Sequence, residues 1–283
     1  MKKLLLAFSA ALVFFASCEE EPLPVLFEDP IPALLDTTYQ LSSPSAAQDK
    51  VVLFEDYTGV RCVPCPTGHV ALKAILDKYP SRVVGIAVHP GNQAFPQSYS
   101  YADEGEPDLN TEWGAKLMAI IGKPNGIPYG TADRVLKNNL VAQWMDQADQ
   151  RVAVAAPVNV SLKVLSYDPL TRALRFEVLM EATQTLDEEL HFSTVFTQDS
   201  IVTWQETPQG TDKEYVHNHI LRDMPHFSIK LNPNKTPALT PGRVFQKQYE
   251  YILDETWDIK HLNLVAYVHR DIEVVQTAEI HVQ

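Results

Sequence analysis

The chain changes its hydrophobic rhythm three times. Leu4 to Phe15 is an apolar run broken only by Ser9 and preceded by Lys2 and Lys3. Further on, "VVLFEDYTG" and "SRVVGIAVHPG" are near-continuous apolar stretches rich in β-branched residues. That pattern predicts strands buried on both faces of a parallel sheet. Between them "GHVALKAILDKYP" places Val70, Ala71, Ala74, Ile75 and Leu76 as a helical stripe ended by Pro80. "TEWGAKLMAIIG" predicts a second helix with Thr111 as N-cap and Gly122 closing it. "NGIPYGTADRVL" reads as a loop whose Pro128 leads into a third strand. Strand, helix, strand, helix, strand predicts an α/β domain over residues 49–156. From residue 157 the period becomes two: "VNVSLKVLS", "RALRFEVLME", "ELHFSTVFTQ", "RVFQKQYEYIL", "HLNLVAYVH" and "IEVVQTAEIHV" alternate, with turns between them. Half-buried strands without a helical stripe predict an all-β antiparallel sandwich over 157–283.

The first apolar run is too short to span a bilayer, which takes about 20 residues, and reads as the core of a signal peptide over 1–17. Ala16 and Ser17 before Cys18 resemble a bacterial lipobox, in which the cysteine becomes the first mature residue and carries the lipid. Residues 18–48 then read as a lipid-anchored tether, broken by Pro22, Pro24, Pro30, Pro32 and Pro44. Acyl chains hold such a protein at a membrane without a transmembrane helix. The expected location is the outer membrane of a cell envelope, facing the periplasm or the surface. Glu19, Glu20 and Glu21 resemble the surface-export signals of Bacteroidota lipoproteins; a solvated charged tether is the alternative.

Charge excludes one class of partner. The formal net charge is −13, and losing Lys2 and Lys3 with the signal leaves 21 basic against 36 acidic residues, near −15. Nucleic-acid binding needs a basic footprint, and none is present. The composition shows no glycine-rich phosphate loop and no serine-nucleophile motif, and no cofactor is expected.

The chain has three cysteines. With Cys18 lipidated, Cys62 and Cys65 of "GVRCVPCPTG" remain as a pair in an oxidising compartment, where disulfides persist. They sit where a buried strand gives way to a helix. Helix N-termini lower thiol pKa values, and Pro64 is tolerated in a first turn. An exposed Cys62 is expected to attack and a more buried Cys65 to resolve. His69, four residues after Cys65, opens a metal-site alternative with a soft ion; a surface helix position is the simpler reading. His217 and His219, two apart, with His226 nearby, raise a similar metal question, a structural role being the plainer answer. No metal is expected. The long segment 92–110, with Phe95, Tyr99 and Tyr101 among four acids, is a candidate substrate loop.

Strand, Cys-x-Pro-Cys, helix, a second βα unit and a later x-Pro before a strand together resemble the thioredoxin fold. The resemblance implies that Asp56, six residues before Cys62, is the buried acid that serves the resolving thiol. It implies too that Ile127-Pro128 is the cis-proline loop facing the pair. Arg61 stands where that family carries Trp, Pro66 adds a second proline, and Glu55 competes with Asp56 as the buried acid. More narrowly, "FEDYTGVRCVPCPTG" and "YVHNHILRDM" (215–224) resemble the outer-membrane-protein-28-like family of Bacteroidota lipoproteins. That likeness implies a tether, a thioredoxin-like domain and an Ig-like β-sandwich, with adhesion or receptor roles suggested. Two functions therefore stand open. One is a thiol–disulfide oxidoreductase acting on protein or peptide thiols through Cys62, Cys65, Asp56 and Pro128. The other is a surface adhesion or ligand-binding lipoprotein with an inert Cys62–Cys65 disulfide.

Overall fold

The computed structural model describes residues 34–91, 98–122 and 124–283. The lipidation candidate Cys18 and the loop residue Phe95 lie outside the described residues. Leu34–Gln283 is one compact unit. In chain order its elements are β1 (Asp36–Gln40), β2 (Val52–Tyr57), α1 (Pro66–Lys78), β3 (Val83–Val88), α2 (Glu112–Ile120), β4 (Tyr129–Ala132), β5 (Leu136–Asn138) and α3 (Trp144–Val152). There follow β6 (Val158–Asp168), β7 (Ala173–Ala182), β8 (His191–Gln198), β9 (Ile201–Thr207), β10 (Gly210–His217) and β11 (Ile220–Lys230). The last are β12 (Arg243–Ile252), β13 (Leu262–Arg270) and β14 (Glu273–His281). The protein is mostly β, with few helices. None among the described residues is long and apolar enough to cross a membrane.

One sheet carries the architecture. Its order is β14-β13-β8-β11-β3-β2-β4-β5, and it passes from the later strands to the earlier ones at β11, which meets β3 at Ile220 and Ala87. β2 and β3 pair in parallel, whereas β2–β4 and β4–β5 are antiparallel. A second sheet, β1-β12-β7-β6, packs on the later strands as a sandwich. Phe176, Val178 and Phe245 from one sheet and Phe192, Phe196, Leu264 and Val268 from the other fill the core between them. The alternation read in the sequence is this inner face, so those strands form where it predicts. Asp36–Gln40, expected in the tether, is instead an edge strand antiparallel to β12. Its side chains are exposed, so no apolar pattern marks it.

Period-two alternation divides β2 between two cores. Leu53 and Tyr57 join Val84, Ile86, Leu117 and Met118 on the α2 side. Val52 and Phe54 join Leu72, Ile75, Trp144 and Ala148 on the side of α1 and α3. Both faces are covered, as the continuous apolar run predicts. Thr111 caps α2, its hydroxyl accepting from Gly114 N–H at 3.0 Å, and Gly122 follows with φ +86°, a left-handed close that glycine makes without steric cost.

The β4–β5 turn binds the two halves together. Arg134, fully buried, bonds Glu55 at 2.7 Å through Nη2, and Nη2 also donates to Tyr267 Oη on β13 at 2.9 Å. Asp133 accepts from Lys50 Nζ at 3.0 Å and from Arg151 Nε at 2.7 Å, while its carbonyl accepts from Val274 N–H at 3.1 Å. Removing one member of a buried pair leaves an uncompensated charge, at a cost of about 3–5 kcal/mol. Arg134→Met is therefore expected to lower the urea-unfolding free energy by that amount. A Glu55→Met/Arg134→Met double variant recovers most of it, and equal losses in single and double variants would refute the coupling.

Candidate functional site

β2 ends at Tyr57, and the chain turns through Thr58–Cys65 before α1 begins. The helix starts at Pro66, not before Pro64 as expected, with Cys65 as its N-cap and proline in its first turn. Pro66 sets that boundary: an N1 proline lacks only an N–H that has no helical partner. Cys62 and Cys65 form a disulfide. The bond lies in a turn closed by Cys65 N–H donating to Cys62 O at 3.1 Å. Cys62 is 2% exposed and Cys65 0%, so the exposed attacking sulfur that the sequence suggested is a buried one.

The remaining candidates fall around this turn. Ile127-Pro128 is cis, and the Ile127 carbonyl oxygen lies 3.7 Å from Cys62 Sγ. Asp56 points to the α1 side of β2, where a side chain at Gly68 would meet its Oδ2 at 3.2 Å and the Pro128 ring at 3.2 Å. Gly68, one turn into α1, therefore allows the acid, the proline and the helix to approach closely. Neither Asp56 oxygen has a hydrogen-bond partner, and burial raises its pKa well above the ordinary carboxylate range. Glu55, its competitor, faces the other way. It is held by Arg134, by Thr131 Oγ1 at 3.1 Å and by Tyr57 Oη at 3.3 Å, an ion-paired structural acid. The alternation of β2 thus separates the two.

Arg61 departs from the resembled pattern for a local reason. Its guanidinium lies 4.2 Å above the Tyr101 ring and donates to Ser100 O at 3.0 Å. Tyr101 packs at a tilt against Trp204, ring centroids 5.2 Å apart, and donates to Glu206 Oε1 at 2.5 Å. Tyr101 is buried and Tyr99 exposed, so of the substrate-loop candidates Tyr101 is a packing residue.

Hairpin β9–β10, which the alternation did not single out, closes over this turn. Glu206 N–H donates to Val60 O at 2.7 Å. Gln205 Nε2 donates to Cys62 O at 3.2 Å and Gly59 O at 3.3 Å. His69 is half-buried rather than an exposed helix residue. Its ring nitrogens bond Thr58 Oγ1 and Tyr215 Oη, each at 2.8 Å. Behind it lies a cavity of about 640 Å³ between α1 and the β10–β11 connection, with Asp56, His69, Tyr215 and His217 on its walls. His217 and His89 are buried 6.1 Å apart, and none of their ring nitrogens has a partner. Burial lowers His69 to about 3 and His217 to about 4. His226 lies elsewhere, its ring 3.8 Å from that of Tyr249 in the sandwich. Among the described residues no three His, Cys, Asp or Glu side chains form a metal-holding group. Tyr215 and His217 lie in the segment 215–224 that carried the family resemblance; Gln205 and Glu206 had no signal in spacing or type.

No protein-family model matches this chain. Among curated proteins, too, nothing matches. Solved structures do resemble it. HBP35 of Porphyromonas gingivalis superposes with a TM-score of 0.63 at 17% identity, covering 84% of this chain and 77% of that one. Protein AGR_C_4864 of Agrobacterium tumefaciens gives a TM-score of 0.53 at 13% identity, covering 84% and 97% respectively. At such identities the likeness is one of fold.

The site's charges give opposed pH slopes. Asp56 holds its proton in the folded state, so its contribution is fully present below the ordinary carboxylate pKa and is lost as pH rises. His217 stays neutral when folded, so its contribution is present above pH 6.5 and is lost as pH falls toward about 4. Urea titrations of Asp56→Asn are expected to lack the decline that sets in as pH rises above the ordinary carboxylate range, and those of His217→Gln to have a shallower acid limb below pH 6.5. Unchanged slopes in both variants would contradict these protonation states.

Proposed function

We propose that the chain is an outer-membrane lipoprotein, anchored through Cys18, whose thioredoxin-like half carries out thiol–disulfide exchange with protein or peptide thiols. The observation that carries this reading is the convergence at one helix end of a Cys-x-x-Cys disulfide, the Ile127 carbonyl and the unpartnered Asp56. The strand order β3-β2-β4-β5 with α1 and α3 on one face supports the thioredoxin-like reading. The fold shared with HBP35, from a Bacteroidota species, supports the family resemblance.

In this mechanism a partner thiolate attacks Cys62 Sγ, the Cys62–Cys65 bond breaks, and Cys65 leaves as a thiolate. Asp56, protonated in its buried site, supplies the proton to Cys65 and is reprotonated from solvent. A second partner thiolate then attacks the partner's sulfur of the mixed disulfide and releases Cys62 as a thiolate, which takes from solvent the proton that the partner thiol gave up. The partner dithiol is oxidised to a disulfide and the pair is reduced to two thiols, two electrons and two protons being conserved. Run backwards, the same steps oxidise a partner.

The second reading, a surface binding protein with an inert disulfide, is favoured by one observation: Cys62 is almost fully buried. The two separate experimentally. Cys65→Ser removes the resolving thiol and is expected to trap partners on Cys62 as mixed disulfides in cells, with the Cys62→Ser/Cys65→Ser variant trapping none. A reduction potential below about −300 mV with no trapped partner would favour the inert disulfide.

A further inference from the structure

Hairpin β9–β10 is built differently from the other strands. It forms a two-stranded sheet of its own, paired with neither large sheet. It leaves the body at Ser200 and returns at His219, with φ +60° and +59° respectively. Asp199 bridges these ends, its Oδ1 accepting from His219 N–H at 2.7 Å. Much of β10 is solvent-exposed. The hairpin bears on the body through Ile201, Tyr215 and His217, through Trp204 against Tyr101, and at the turn carrying the disulfide. There it makes one backbone bond, Glu206 N–H to Val60 O, and the Gln205 side-chain amide donates to the carbonyls of Gly59 and Cys62.

The ladder register explains why Glu206 is free to make that bond. Thr207 pairs with Gly210 across the hairpin end and Glu206 with Thr211. Adjacent antiparallel pairs alternate between bonded inward and bonded outward, and the Glu206 N–H points outward to Val60. An extended strand thus lies along the loop before Cys62 and offers it a backbone hydrogen bond, as an extended polypeptide partner would.

We infer that Gln205–Glu206 is an internal pseudo-substrate, occupying the backbone positions at residues 59–62 that an extended cysteine-containing polypeptide takes when it reaches Cys62. The inference rests on the exchange reading for its biological use, but the occlusion itself is a property of the isolated protein. A polypeptide that displaces the hairpin replaces its hydrogen bonds with its own. A small thiol has no backbone to do so and meets a closed site. The Arg61–Tyr101–Glu206 contacts hold the closed position.

The test uses purified protein. Glu206→Pro deletes the outward N–H together with the carboxylate that accepts from Tyr101 and Thr211; Glu206→Ala deletes the carboxylate alone, so the difference between the two variants reads the backbone bond, and Glu206→Gln keeps the N–H and a side chain of the same length. Reduction of the Cys62–Cys65 disulfide by dithiothreitol, followed by alkylation and mass measurement, is expected to be roughly five- to tenfold faster in Glu206→Pro, as the loss of one to two hydrogen bonds from the closed state predicts. Glu206→Gln should match wild type. In the Cys65→Ser background, a ten-residue single-cysteine peptide activated as its thionitrobenzoate disulfide should load Cys62 faster than the same activated disulfide of glutathione, and Glu206→Pro should erase that preference. Equal dithiothreitol rates in wild type and Glu206→Pro, with circular dichroism unchanged, would overturn the occlusion. No preference for the peptide over glutathione in the Glu206 background would overturn the polypeptide partner. An empty trap in cells with both in vitro results positive would count against the exchange reading and leave the occlusion standing.

Discussion

Everything near the disulfide depends on the two consecutive residues Asp133 and Arg134, both at positive φ in the β4–β5 turn. Together they gather two further cationic and two further acidic side chains into one largely buried region: Arg134 with Glu55, and Asp133 with Lys50 and Arg151, which also bonds Glu273. Burying this much charge is costly unless each member is paired and hydrogen-bonded. Here the partners come from β2, α3, β13 and β14. The earlier and later parts of the chain therefore share one solution to the desolvation problem. That solution fixes β2 beside the later strands and so fixes which of its faces looks toward α1.

From that orientation the chemistry of β2 follows. Glu55, on the side of the ion pairs, spends its acceptor capacity on Arg134, Thr131 and Tyr57. Asp56, one residue on, must face α1, where Gly68, Pro128 and Trp144 offer no donor. A buried carboxyl without a donor stays neutral. The same strand thus carries one acid paired with a buried guanidinium and another held without a donor. Their difference lies in direction alone, not in residue type.

Where hydrophobic rhythm determines structure, the sequence is readable. The two-faced strands β2 and β3, the Thr111 cap and the alternating sandwich strands all follow from it, because burial on one or both faces is what sets the rhythm. Elements without a burial pattern were not legible. β1 exposes every side chain and is held by its ladder to β12. α3 is mostly polar over "WMDQADQRV", yet Trp144 and Ala148, one turn apart, anchor it against Phe54 and Leu72. β9–β10 fits neither core, and its grip on residues 59–62 runs through backbone groups and one amide, which no side-chain pattern records. That is also why the burial of Cys62 was missed: the sequence around the pair describes a site at a helix end, and the cover arrives from 140 residues downstream.

Arg61 and Pro66, the departures from the resembled motif, acquire roles once the hairpin is in view. Pro66 moves the start of α1 past the disulfide, leaving Cys62 in a turn whose carbonyls point outward rather than into a helix. The carbonyls of Gly59, Val60 and Cys62 are the acceptors that Gln205 and Glu206 use, those of Gly59 and Cys62 sharing them with the turn's own N–H groups. Arg61 in place of an aromatic residue reaches sideways to Tyr101 and, through it, to Glu206, so the position that borders the pair also braces its cover. A disulfide that serves only as a staple needs neither device, since a covalent bond in a buried turn holds without one. The turn, its outward carbonyls and the braced hairpin are the devices on which the proposed control of access to the disulfide rests.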